Sequence, residues 1–155
     1  MNKLLITHNF EETRQLGFDF AKKLKGGEVV ALHGDLGSGK TTFVQGLALG
    51  LGITKKIISP TFIIMRTYVI PAEAGIQKID SRLHGNDRQN FYHVDLYRIE
   101  GEKDVEGLGL LELMGDAQNI VVIEWPEKIE NLLPEKRTDI FFEYVADDTR
   151  RITFA

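Results

Sequence analysis

The sequence has no cysteine, which excludes both disulfide staples and thiolate chemistry. No apolar run is long enough to span a membrane. The opening stretch MNKLLITHNFEET holds too short an apolar segment for a secretory signal, and acidic residues follow at once. These absences point to the cytoplasm. Positive charge is also scarce: 19 Lys and Arg against 23 Asp and Glu leave a net charge of −4. No more than two basic residues are adjacent. A protein that grips nucleic acid unaided presents a basic face that displaces counterions. Any service to RNA or DNA is therefore expected to leave the gripping to partners. None of the four histidines shows metal-ligand spacing, and His33 and His93 read as structural residues inside strands.

What remains is a chain of 155 residues with ordinary apolar and charged content, the size of one domain with its own core. NFEETRQLGFDFAKKLKGGE predicts a helix. Asn9 and Glu12 fit a capping box, Phe10, Leu16, Phe20 and Leu24 lie near one face, and Gly26-Gly27 end it. EVVALHG predicts a buried strand over 28–34, and KTTFVQGLALGLG a helix after it. NFYHVDLYRI predicts a strand ending near Asp95, DVEGLGLLELMG a short helix, and NIVVIE a strongly apolar strand ending at Glu124. Pro126 and Pro134 bracket another expected helix, and TDIFFEYVADDTRRITF a hairpin around an Asp-Asp turn. Alternating strands and helices predict an α/β fold with a largely parallel sheet.

GDLGSGKT, from Gly34 to Thr41, matches G-x-x-x-x-G-K-[ST], and it falls between a strand and a helix as that motif demands. Glycines let the backbone curl so that successive N–H groups face phosphate oxygens. The following helix adds the positive end of its dipole. Gly34, Gly37, Ser38, Gly39, Lys40, Thr41 and Thr42 are the expected nucleotide cradle, with Lys40 on the β- and γ-phosphates and the Thr41 hydroxyl on Mg²⁺. The competing reading is a glycine-rich turn that binds nothing.

Such a loop needs an acidic partner at the end of a neighbouring strand. Glu124 after NIVVI and Asp95 after FYHV both qualify, because α/β sheets place ligands at the carboxyl ends of their strands. One would hold the metal and the other orient a water; either also reads as an acidic surface cap. Thr61, in the stiff corner SPTF, is a third candidate for sensing the γ-phosphate. An ordinary turn, the commoner use of such a corner, reads the same way. Spacing does not decide whether Trp125 is a contact or a core residue.

GDLGSGKTT, SPTF, HVDLYR and IEWPE, in that order, closely resemble the TsaE (YjeE) family, the small bacterial ATPases of tRNA threonylcarbamoyladenosine biosynthesis. The resemblance covers nearly the whole chain except Val69–Asn90. It implies a P-loop NTPase-like three-layer fold: a central, mainly parallel sheet flanked by antiparallel strands and a C-terminal hairpin. It implies ATP and Mg²⁺ as cofactors and a weak ATPase working with TsaD and TsaB. Those partners install threonylcarbamoyl on adenosine 37 of tRNAs reading ANN codons, TsaD transferring the group while the ATPase supports turnover. By the same likeness Lys40 and Thr41 carry the phosphate-loop roles, Asp95 and Glu124 form the magnesium and hydrolysis site, and Thr61 and Trp125 lie around it. Purine contacts would fall to Phe10 and Arg150.

Three other nucleotide-binding readings are weaker. Asp104 to Gly107 spell DxxG, but no NKxD follows to read guanine. A small-molecule kinase would use residues 69–90 as a lid bearing Arg82 and Arg88. A nucleotide-binding subunit without meaningful turnover is the third possibility. The segment 69–90 itself resembles a translated palindromic repeat element. It is expected to be a mobile inserted loop between adjacent strands, since lengthening a loop costs little.

Overall fold

The computed structural model describes residues 2–58, 63–72 and 88–155. Their elements run β1 (Lys3–Thr7), α1 (Phe10–Ala21), β2 (Val29–His33), α2 (Lys40–Gly50), β3 (Met65–Val69), β4 (Asn90–Asp95), α3 (Leu110–Gly115), β5 (Asn119–Glu124), β6 (Thr138–Ala146) and β7 (Thr149–Phe154). Two 3₁₀ segments, Glu102–Val105 and Pro126–Leu132, flank α3 and β5.

The strands form one sheet in the order β1-β7-β6-β2-β5-β4-β3. The central four, β6, β2, β5 and β4, are parallel. β7 and β1 extend the sheet antiparallel on one side and β3 on the other. Every residue of β5 is buried, which is why NIVVIE reads as an unbroken apolar run: a parallel strand is covered on both faces. Its alternate residues feed two cores. Ile120 and Val122 join Val30, Leu32 and Phe91 beneath α1 and α2. Val121 and Ile123 join Val29, Val94 and Leu96 beneath α3 and the 3₁₀ segments. The result is helices over both faces of a sheet, three layers in all.

α1 and α2 cross with almost no space between their backbones. A Cβ built on Gly17 would sit 2.1 Å from the Phe43 carbonyl oxygen, and one on Gly46 would sit 1.8 Å from that of Arg14. These mid-helix glycines permit the contact, and Phe20, Phe43, Phe142 and Phe154 pack beside it.

Several expectations need adjustment. Asn9 does cap α1, accepting from the Glu12 N–H at 2.8 Å, but the Glu12 carboxylate returns to the His8 N–H rather than to Asn9. Phe10 points away from the core and is 62% exposed. α1 ends at Ala21, well before Gly26. The helix expected over 104–115 is split, because Gly107 and Gly109 adopt positive φ between the first 3₁₀ segment and α3. The segment after Pro126 is 3₁₀ and kinks at Ile129, whose side chain is fully buried. The hairpin forms as expected, with Asp147 at φ 45° in its turn. β1 was not foreseen: it has five residues of which only Thr7 is buried, and pairing with β7 defines it.

Candidate functional site

Residues 34–39 make the turn from the carboxyl end of β2 into α2. Gly37 and Gly39 hold φ of 76° and 105°, which residues with a Cβ rarely adopt. The Ser38 N–H closes the turn on the Asp35 carbonyl at 3.1 Å. Thr41 and Thr42 sit in the first turn of α2.

Lys40 is 5% exposed, and its ammonium donates to the Gly34 carbonyl and, at 2.9 Å, to that of Asp35. The same nitrogen lies 4.4 Å from the centroid of the Trp125 ring. Burial pushes the Lys40 ammonium below the ordinary lysine range, against the opposing fields of Glu124, Asp95, Glu127 and Asp35. Trp125 is at φ 60°, ψ 48°, left-handed backbone that is uncommon for a bulky residue. That backbone carries the ring over Lys40, with Tyr97 5.2 Å away on its other contact. Trp125 thus touches both the loop lysine and the second core.

The parallel register of β4 and β5 sets Asp95 opposite Glu124 at the end of the sheet that carries the loop. Both are buried. The Thr41 hydroxyl donates to Glu124 Oε1 at 3.4 Å. Asp95 Oδ1 accepts from the Tyr97 N–H at 3.0 Å. The acidic-cap alternative fails for both, since neither side chain is at the surface. Hard oxygen donors from Thr41 and Glu124 suit Mg²⁺, which takes one or two protein oxygens and fills its shell with phosphate and water. Among the described residues no group of three or more His, Asp or Glu side chains is arranged to hold a metal ion by itself, as an all-protein cage would.

Arg150 reaches over from β7: its Nη2 donates to the Gly37 carbonyl at 3.3 Å, and its guanidinium stacks 4.9 Å from the ring centre of Tyr144. Phe10 begins α1 one turn before Thr13, whose methyl group would be 3.6 Å from a Cβ on Gly39. Thr61 and Arg82 lie outside the described residues. Arg88 is exposed at the opposite end of β4 from Asp95. Asp104 of DxxG accepts from the Glu100 N–H in the first 3₁₀ segment, a local cap.

His93, read from sequence as a structural residue inside a strand, also meets this group. His93 is completely buried, and its Nε2 lies 2.9 Å from Glu124 Oε1. His93 and Asp95, two apart in β4, lie on one face of the strand, and the register of β4 against β5 brings that face to Glu124. His33 is structural as expected: Asp139 holds its Nε2 at 2.8 Å and Phe141 stacks on its ring.

Residues 7–152 match the family model for "Threonylcarbamoyl adenosine biosynthesis protein TsaE". The chain belongs to the TsaE family. Among its relatives, the tRNA threonylcarbamoyladenosine biosynthesis protein TsaE of Bacillus subtilis is 40% identical over 151 residues, covering 96% of this chain and 82% of that one. The protein of the same name from Treponema pallidum is 36% identical over 150 residues, covering 97% and 98%. A crystal structure of Bacillus subtilis YdiB superposes with a TM-score of 0.72 at 33% identity, covering 99% of this chain and 84% of that one. The TsaE family and the expected P-loop-like α/β fold are therefore shown. No helix among the described residues is long and apolar enough to cross a membrane.

Proposed function

We propose that the protein is the Mg²⁺-dependent ATP-binding and ATP-hydrolysing member of the machinery that makes threonylcarbamoyladenosine in tRNA. It supports turnover of a TsaD-like transferase working with a TsaB-like partner in the cytoplasm, and it meets tRNA only through them. The observation that carries this reading is the convergence of buried Lys40, Glu124 and Asp95 with half-buried Thr41, where the start of α2 meets the carboxyl ends of parallel strands. The names of the Bacillus and Treponema relatives supply the pathway.

Each residue has work suited to its surroundings. Lys40, already held as a buried cation by carbonyl oxygens, exchanges them for phosphate oxygens of higher charge. The loop N–H groups and the start of α2 hold the phosphates. Bound Mg²⁺ would supply positive charge to the transferring phosphoryl group. Thr41 and Glu124 would hold it, and Asp95 stands beside them to orient a water. Arg150, bonded to the Gly37 carbonyl, and exposed Phe10 at the start of α1 would supply the purine contacts.

The kinase alternative would use residues 69–90 as a lid, of which only the stems are among the described residues. That segment leaves β3 at Val69 and enters β4 at Asn90, a pair in antiparallel register. Those stems lie at the end of β4 remote from Asp95, roughly 17 Å away along the strand.

The test is phosphate release from ATP by the purified protein, alone and with its TsaD and TsaB partners. Hydrolysis should rise with the partners. Lys40→Ala should reduce ATP binding or hydrolysis at least about 100-fold. Robust phosphorylation of a metabolite by the isolated chain, or normal tRNA modification in cells whose only copy carries Lys40→Ala, would overturn the proposal.

A further inference from the structure

We infer that His93 is a positioning residue that donates through Nε2 to Glu124 and fixes the orientation of that carboxylate toward Thr41. The inference rests on the ATP-hydrolysing reading of the site and adds a residue to it.

The geometry begins with the strands. Phe91, His93 and Asp95 alternate along β4 and share the face beneath α2. In the parallel register His93 stands opposite Val122, two residues before Glu124, so its ring reaches along the sheet to the carboxylate. Nε2 comes within 2.9 Å of Oε1, and neither side chain has meaningful access to water. The ring is held nearly parallel to that of Phe91, with centroids 6.5 Å apart.

The two ring nitrogens differ sharply. Nε2 faces a carboxylate oxygen, which accepts hydrogen bonds only. Nδ1 is buried with no hydrogen-bond partner among the described residues. A proton on Nε2 therefore makes the bond and leaves Nδ1 with a lone pair. A proton on Nδ1 alone would bury an unmet donor and set a lone pair against the carboxylate, both costly.

Both hydrogen bonds to the Glu124 carboxylate from the described residues, those of His93 and Thr41, fall on Oε1. Two donors on one oxygen set the rotation of the carboxylate, and Oε2 takes no hydrogen bond from the described residues. A ligating carboxylate oriented from behind by a buried donor is the usual way to fix a metal or water site.

Two variants separate this role from simple packing. His93→Phe keeps a ring and removes the donor. His93→Gln keeps an amide N–H at nearly the reach of Nε2. The readouts are kcat of ATP hydrolysis with the partner proteins present, and calorimetric affinity for a non-hydrolysable ATP analogue with and without Mg²⁺. His93→Phe should keep Mg²⁺-free analogue affinity within about threefold, weaken the gain in affinity that Mg²⁺ confers, and lower kcat about 10- to 100-fold. His93→Gln should recover at least about tenfold of that kcat loss.

If His93→Phe does not fold, His93→Asn replaces it, since its amide is too short to reach Glu124; it should show the same losses. A donor-free variant that folds with kcat within about twofold of the parent overturns the inference. So does a Gln variant no better than it. Absence of hydrolysis in the parent with its partners would remove the ATPase reading and this inference together. Hydrolysis by the parent that is unchanged without the donor removes the inference alone.

Discussion

Glu124 Oε1 is the oxygen on which α2, β4 and β5 meet, through Thr41, His93 and its own backbone. Lys40, by contrast, is satisfied by the loop's own carbonyls and the Trp125 ring. The two residues should therefore fail differently. Glu124→Ala should lower ATP turnover about 100-fold or more, yet weaken nucleotide binding by about tenfold or less, as read by single-turnover hydrolysis beside calorimetry. Equal loss in both would place Glu124 in binding alone. Lys40, Thr41, Asp95 and Glu124 were legible in the sequence because each breaks or follows a pattern: a glycine loop, or an apolar run ending in a carboxylate. His93 was not, since a histidine in an apolar strand looks the same whether it merely packs or holds a carboxylate. Only the register of β4 against β5 shows which. Trp125 was equally opaque, because its role comes from a left-handed backbone angle rather than from its neighbours in sequence.

At the scale of elements, the crossing of α1 and α2 depends on what is missing from their side chains. In an exposed helix, Gly→Ala favours folding by about 1 kcal/mol. At Gly46 the sign reverses, because the new Cβ would lie 1.8 Å from a backbone oxygen of Arg14 that cannot rotate away. Gly46→Ala should cost about 3 kcal/mol, seen as a fall of roughly 6–12 °C in thermal denaturation. A neutral or stabilising result would mean that the helices separate freely. Strands buried on both faces and the strand–loop–helix unit were readable, since burial and phosphate-loop chemistry each leave a dense local pattern. The 3₁₀ segments and β1 were not. Ile129 leaves helical geometry to fill the second core, and β1 exists through its ladder with β7. Both are decided by distant residues.

Across the whole molecule the sheet has two ends with different duties. One collects the loop, Asp95 and Glu124. The other receives the stems of the long β3–β4 connection, closed by the Ile70 N–H on the Gln89 carbonyl at 2.9 Å and tied by the Gln89 amide to the Lys25 carbonyl. The mobility expected for that connection concerns residues 73–87, outside those described. Because Ile70 is buried, a deletion should spare it. Replacing 73–87 by a short glycine-containing linker should leave ATP affinity within about threefold, and stability changed by about 0.6 kcal/mol for a halved loop. Loss of nucleotide binding would instead make the segment part of the site.

The stems Ala72 and Arg88 are both exposed. They give the molecule an attachment port on the side away from its chemistry. A spin label, fluorophore or surface tether introduced there would orient the protein with its nucleotide end outward. Distances measured from such a fixed mark would then follow the loop around Lys40 as it fills and empties.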